Sequence, residues 1–233
     1  MKKLYGFAIT LLLIMGLAPA ALAGTVSLDI WTGGEYEYRS SGATTTYDLP
    51  QIALGVEIPG TKYKFACNLN SGIITDYDTD YGYENLGTAS ILLKGGYALI
   101  NRKKIRLDLT AGFFNRQINF DYLIYSTTRH DYVDIESYYS LTAGLDAKVM
   151  LNQKAWLDCS YSMGIYPRAE RTYFYKNSVI TNLDSISITN FKLNYLLNRR
   201  IGVALGYYCE NIEFDHNDQD QYSNVTFGGF FKF

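Results

Sequence analysis

Apolar and polar residues alternate with a period of two along most of this 233-residue chain, which points to strands and not to amphipathic helices. In the first such segment Val26, Leu28, Ile30, Thr32, Gly34, Tyr36 and Tyr38 share one face, and Ser27, Asp29, Trp31, Gly33, Glu35, Glu37 and Arg39 share the other. The last segment repeats the pattern at Val225, Phe227, Gly229, Phe231 and Phe233. Side chains of a strand point alternately to opposite faces, so each segment has an apolar and a polar side. Lipid outside and a wet or filled interior is the environment that suits such strands. A closed barrel satisfies every backbone group there without water.

The ends of the chain agree with this placement. Lys2 and Lys3, the apolar run Leu4 to Pro19 and the small residues Ala21-Leu22-Ala23 have the form of a cleaved export signal, residues 1–23. The mature barrel is expected over residues 24–233. The terminal Phe233 on an alternating strand resembles the sorting signal of Gram-negative outer-membrane β-barrels, which is read by the barrel-assembly machinery. The outer membrane of a diderm bacterium is therefore the expected location, with outer-membrane lipid as a partner. Composition is consistent with it: Tyr 22 and Phe 12 are high, and Pro is only 4. A net charge of −2 offers no footprint for nucleic acid. Cys67, Cys159 and Cys209 are odd in number, scattered, and in phase with apolar neighbours, so neither a disulfide framework nor a metal site is expected.

Between these ends the alternation recurs in eight further segments, around Ile52–Ile58, Tyr63–Leu69, Ala89–Tyr97, Ile105–Phe113, Tyr139–Val149, Leu157–Ile165, Thr189–Tyr195 and Ile201–Tyr207. The fold class expected is all-β, a closed antiparallel transmembrane β-barrel of ten strands, monomeric. Eight strands with one long plug-like loop is the alternative. Connections alternate between short basic turns and longer loops near residues 40–48, 75–84, 117–136, 167–184 and 215–221, which is the asymmetry of outer-membrane barrels. The polar face carries a ladder of both charges, from Asp29, Glu35, Glu37 and Arg39 through Lys64, Lys94, Asp108 and Asp146 to Glu210. Interleaved signs favour a barrel filled by paired side chains over a selective pore.

Asp76, Asp78 and Asp80 stand two apart in the second long loop. Carboxylates so spaced on an extended segment share a side, so one of them can serve as a general base. Here the chain resembles the omptins, ten-stranded outer-membrane proteases that also need lipopolysaccharide. The likeness continues through Leu93-Lys94-Gly95-Gly96-Tyr97 and Arg106-Leu107-Asp108-Leu109-Thr110-Ala111-Gly112-Phe113, and through Gly206-Tyr207-Tyr208. The resemblance implies Asp76 and Asp78 as one half of a catalytic site. The other half in omptins, an Asp–His pair in the fourth long loop, has no counterpart between Pro167 and Asp184. Only His130 and His216 exist, so a protease here requires His130 beside Asp131 or His216 beside Asp215 folded over the mouth, His216 being the one taken as candidate. The resemblance also implies rim arginines gripping lipopolysaccharide phosphates, and Arg39, Arg116, Arg168 and Arg171 are the candidates. No cofactor is expected beyond that possible bound lipid. Because the histidine is displaced, the expected role is non-catalytic, with surface loops presented for interaction or adhesion. The alternatives are an omptin-type endopeptidase and a small passive pore.

Overall fold

Ten staves close into one antiparallel barrel. The computed structural model describes residues 24–40, 43–79, 82–119, 133–173, 176–214 and 218–233. Its strands are β1 (Thr25–Ser40), β2 (Ala43–Asp48), β3 (Gln51–Pro59), β4 (Tyr63–Thr79), β5 (Gly82–Asn101) and β6 (Ile105–Asn119). They continue as β7 (Val133–Met150), β8 (Ala155–Tyr173), β9 (Lys176–Asn182), β10 (Ser185–Leu196), β11 (Ile201–Glu213) and β12 (Gln219–Lys232). Around the wall the order is β10-β11-β12-β1-β3-β4-β5-β6-β7-β8, and β8 pairs back onto β10. β2 extends the wall above β3, and β9 above β10, so twelve strands make ten staves and not eight.

Closure is made by the first and last strands. Their ladder runs from Thr25 opposite Lys232 to Arg39 opposite Gln219, and Gly24 and Phe233 exchange two backbone bonds of 3.1 Å at its end. The ten staves thus leave no open seam, while β2 and β9 each pair on one side only among the described residues. The short turns are pinned by their own side chains. Asn152 Oδ1 accepts the backbone N–H groups of Lys154 and Ala155, and Asn198 Oδ1 those of Arg200 and Ile201, each at 2.8 Å.

The outer surface carries the apolar band that lipid requires. Leu109 and Phe113, Leu141 and Leu145, Tyr161 and Met163, Phe191 and Leu193, Leu205 and Tyr207, and Val225 and Phe227 are all exposed. No helix among the described residues is long and apolar enough to cross a membrane. Toward the long-loop end the outward positions turn polar, with Glu35 and Arg39 on β1 and Glu213 on β11 exposed. The strands nevertheless continue. Residues 43–48, 75–79 and 82–84, expected as loop, are strand, so the wall stands well above the band.

Bulges interrupt the alternation of three strands, and two of them, in β1 and β8, alter what the barrel encloses. β1 shifts register between Trp31 and Gly33, β4 between Ile74 and Tyr77, and β8 slips where Tyr139 faces Arg168 but Leu141 faces Ile165. A bulge adds one residue and exchanges the two faces of the strand beyond it. On β1 Asp29 points inward below the bulge and Tyr36 points inward above it. Glu35, Glu37 and Arg39, expected in the lumen, therefore face outward, and Tyr36, expected in lipid, is buried inside. On β8 the same exchange sets Tyr166 outward at φ 55° and buries Ala169. Tyr166 is the only residue among those described, glycine apart, with positive φ.

The interior is layered. At the short-turn end lies a charged network in which Lys64 and Lys94 both pair with Asp146 at 2.6 and 2.8 Å, and Lys192 with Asp29 at 2.5 Å. Arg106 holds Asp108 at 2.9 Å and Lys148 holds Glu57 at 3.2 Å. Around this network lies a space of about 360 Å³, capped by Trp156 packed edge-on against Phe230. Above it Arg116 and Glu210 form a fully buried ion pair. Higher still comes a dry layer built from Leu49, Ile74, Leu86, Ile118, Ile186 and Ile212, all essentially inaccessible to water. On β4, β5, β6, β10 and β11 these residues hold the same inward phase as the polar side chains below them, and on β1 and β8 the bulges bring Tyr36 and Ala169 in beside them.

Candidate functional site: the external mouth

The dry layer forms the floor of a cavity of about 340 Å³ that opens at the long-loop end. Ile74, Leu86 and Ile118 line its base, and Tyr36, Tyr38, Tyr138 and Phe214 line its walls. Tyr36 stacks on Tyr222 at 4.8 Å between ring centroids and on Tyr47 at 5.9 Å, and Tyr138 meets Phe214 edge-on at 5.7 Å. These rings come from β1, β2, β7, β12 and the segment after β11, so the cup exists only once the barrel is closed. Rigid aromatic walls of this kind offer contact area at little cost in side-chain entropy.

Two carboxylates dominate its electrostatics. Asp220, at the start of β12, accepts a hydrogen bond from Tyr36 Oη at 3.0 Å and from Tyr138 Oη at 2.9 Å. It lies opposite Tyr38 and Ile212, above the apolar band and outside the membrane-spanning part of the strand. Burial pushes its pKa up to about 7, and the nearby negative charge of Glu136 adds to the rise. The two phenol hydrogen bonds and Arg171 oppose it. Glu136 accepts from Arg171 Nε at 2.7 Å, and Asp218 also lines the cup. The cup is thus aromatic and acidic, with one arginine held against a glutamate.

Beneath it, Arg116 is fixed from every side. It pairs with Glu210, donates from Nη1 to Thr88 Oγ1 at 2.7 Å, and lies flat over the Tyr222 ring at 3.9 Å from its centroid. Glu210 also accepts from Tyr208 Oη and from Ser90 Oγ, the latter at 3.0 Å. Asn70 completes the chain by donating to Ser90 at 2.9 Å. Networks of this kind stiffen a lumen when every member is satisfied.

The expected site residues part company in the structure. Arg116 is not a rim residue: its strand position turns it inward, and Glu210 holds it there. Arg171 also turns inward beyond the β8 bulge and pairs with Glu136 at the mouth. Arg39 and Arg168 are exposed on well-separated staves, β1 and β8, and Arg39 Nη2 donates to Glu37 at 3.1 Å. The four arginines therefore do not form one site. Asp76 lies within the β4 bulge and Asp78 beyond it, opposite Tyr83 of β5, on the hairpin directly above Ile74 and Leu86. His216 lies outside the described residues, as do His130, Asp80 and Asp215, but Phe214 and Asp218 on either side of it both line the cup. Asp220 and Glu136 were not among the expected residues. Their sequence signal is slight: Asp220 belongs to an acidic segment, and Glu136 stands alone opposite Ile118 and Arg171.

No protein-family model and no curated protein sequence matches the chain. Solved structures do. The outer membrane protease OmpT from Escherichia coli is 10% identical, with 93% of this chain and 98% of that one aligned at a TM-score of 0.57. Ail, the attachment invasion locus protein of Yersinia pestis, in complex with the heparin analogue sucrose octasulfate, is 9% identical over 91% of this chain and 99% of its own, at 0.42. Neisserial surface protein A is 11% identical over 90% and 97%, at 0.40. At such identity the likeness to OmpT speaks for the fold alone, and the fold agrees with the lipid-facing band and the ten closed staves. The chain is an integral β-barrel protein of the Gram-negative outer membrane.

Proposed function

We propose that this barrel is a non-catalytic, non-conducting surface protein whose external mouth and loops recognise a positively charged group on a partner, an interaction or adhesin role. The observation that supports it is an open cup with aromatic walls and acidic lining, standing on a sealed interior. Carboxylates set among aromatic rings attract ammonium and guanidinium groups by charge and by the faces of the rings. The buried Arg116–Glu210 network and the dry layer above it speak against a passive pore. Lipopolysaccharide contact at the outward Arg39 and Arg168 is part of the same reading, as bound lipid and not as cofactor.

The test is retention of lysine- and arginine-rich peptides by the refolded barrel, compared with acidic peptides of equal length. Basic peptides are expected to bind, and the Asp220→Asn and Glu136→Gln variants to bind more weakly. Equal indifference to both peptide classes by folded protein removes the proposal, and steady single-channel conductance in planar bilayers favours the pore instead.

A second reading, omptin-type endopeptidase, draws on the position of Asp76 and Asp78 on the hairpin above the cup. It draws also on His216, which lies in sequence between two residues that line the cup. In that case the bound peptides are released as fragments, and Asp78→Ala abolishes cleavage while binding persists.

A further inference from the structure

At the opposite end of the barrel the four short turns carry a ring of positive charge with no acid in it. The turns are Pro59-Gly60-Thr61-Lys62, Asn101-Arg102-Lys103-Lys104, Leu151-Asn152-Gln153-Lys154 and Leu197-Asn198-Arg199-Arg200. All of these residues are exposed. Seven of the 21 lysines and arginines stand in these turns, and because the net charge of the whole chain is −2 the rest of the molecule is more acidic than the total. Because every second stave junction contributes one turn, the charge is spread around the circumference and not gathered in a patch.

The ring is rigid. The carbonyl of its last residue ties each turn to the neighbouring strand: Lys62 to Ala98, Lys104 to Met150 and Lys154 to Leu196, each at 2.8 Å, and Arg200 to Lys232 at 2.7 Å. Like charges held this close repel one another, and nothing within the turns compensates. The ring also sits at the edge of the apolar band. Tyr63, Tyr97, Tyr195 and Phe233 are exposed just above it, and Leu151 and Leu197 are exposed within the turns themselves. Leu151 stands three residues before Lys154, and Leu197 two and three before Arg199 and Arg200, which places these long side chains where hydrocarbon meets headgroup. Their stems can lie against the apolar surface there while the charges reach phosphate.

We propose that this ring binds the headgroups of anionic phospholipid in the inner leaflet of the outer membrane, so that the barrel carries a shell of selected lipid at its short-turn end. The exposed turn leucines favour lipid over the cell wall, which lies beyond the bilayer. Each Lys or Arg near an anionic surface contributes on the order of 1 kcal/mol.

The test mixes the folded barrel in micelles with equal phosphatidylglycerol and phosphatidylethanolamine and counts retained lipid by native mass spectrometry. Phosphatidylglycerol is expected to be favoured by about tenfold or more. The preference should shrink toward parity in about 0.5 M salt. The combined Arg102→Gln, Lys103→Gln, Arg199→Gln and Arg200→Gln variant, with folding checked by heat-modifiable migration, should lose most of it. Equal retention of the two lipids by the native barrel, a preference indifferent to salt, or a folded variant that keeps it overturns the proposal. So does a variant that loses binding to peptidoglycan sacculi while its lipid preference is unchanged. If the variant does not fold, the salt titration of the native barrel decides alone.

Discussion

Arg116 and Glu210, 94 residues apart in sequence, meet as a fully buried ion pair at the level where the interior changes from charged to dry. Each is held by further bonds, Arg116 by Thr88 and Tyr222, Glu210 by Tyr208 and Ser90. Removing one partner strands the other's charge. Arg116→Met is expected to cost about 3–5 kcal/mol, and replacing both residues with apolar ones of similar volume to cost less. Urea titration of the barrel in vesicles checks both, and a double variant no better than the single one would show that the cost lies elsewhere in the network.

Asp220 gives the mouth a pH dependence. An unfolded Asp releases its proton near pH 4, whereas the folded one, buried beside Glu136, holds it to about pH 7. A group whose pKa is raised by folding stabilises fully below its unfolded pKa and loses that contribution as pH rises through the folded value. Stability should therefore fall between about pH 4 and 7 through this residue, by an amount on the order of a few kcal/mol. In Asp220→Asn that slope flattens. Melting curves of the two proteins across this range, if parallel, would refute the assignment.

Gly112 and Gly95 lie on facing strands, and a methyl group would meet different surroundings at each. At Gly112 it would lie 1.9 Å from the Leu93 carbonyl oxygen, which is backbone and cannot yield. At Gly95 its nearest neighbour would be 3.9 Å away. Gly112→Ala is expected to cost about 1–3 kcal/mol or to prevent closure, and Gly95→Ala to change stability by less than about 0.5 kcal/mol. The temperature at which the folded gel band disappears reads out both.

Tyr166 occupies the left-handed region at φ 55° in the β8 bulge opposite Ser140. Ser140 Oγ holds the bulge by donating to carbonyls of Leu141 at 2.6 Å and Ile165 at 3.1 Å. A tyrosine in this conformation costs about 1–2 kcal/mol that glycine does not. Tyr166→Gly is thus expected to hold stability or raise it by about 1 kcal/mol, and Tyr166→Val to lower it, read from the unfolding midpoint. The reverse order would mean that contacts of the exposed ring outweigh the backbone strain.

The staves were legible because lipid on one side enforces alternation over many residues. Leu205 and Tyr207, or Leu141 and Leu145, could hardly face elsewhere. The charged lower lumen was legible for the same reason, since Lys94 and Asp146 share the polar phase and find one another. Phase fails only where a strand gains a residue, and nothing in Trp31-Thr32-Gly33 announces that a bulge lies there. Tyr36 was therefore assigned to lipid and Glu37 to the lumen; the dry layer went unseen because Ile118 and Ile212 stand in the phase that is polar lower on the same strands. Arg116 was misplaced for a different reason. Its position near a strand end looked like a rim, but β6 continues to Asn119. The mouth depends on Asp220 meeting Tyr36 and Tyr138 across the closed barrel, and no local pattern connects residues 184 and 82 positions apart.

The bulges carry a consequence for how barrels of this kind diverge. Substituting side chains one at a time would need many coordinated changes to turn a watery interior into a dry one. Inserting one residue in a strand reverses the orientation of everything beyond it at once, so lipid-facing residues become filling and filling becomes surface. In this barrel the slips in β1 and β8 bring Tyr36 and Ala169 inward, while Ile74, Leu86, Ile118, Ile186 and Ile212 face in from strands that keep their phase. Gain or loss of a single codon thus changes at a stroke what one stave contributes to the interior, and gapless comparison of two relatives would score the result as wholesale replacement.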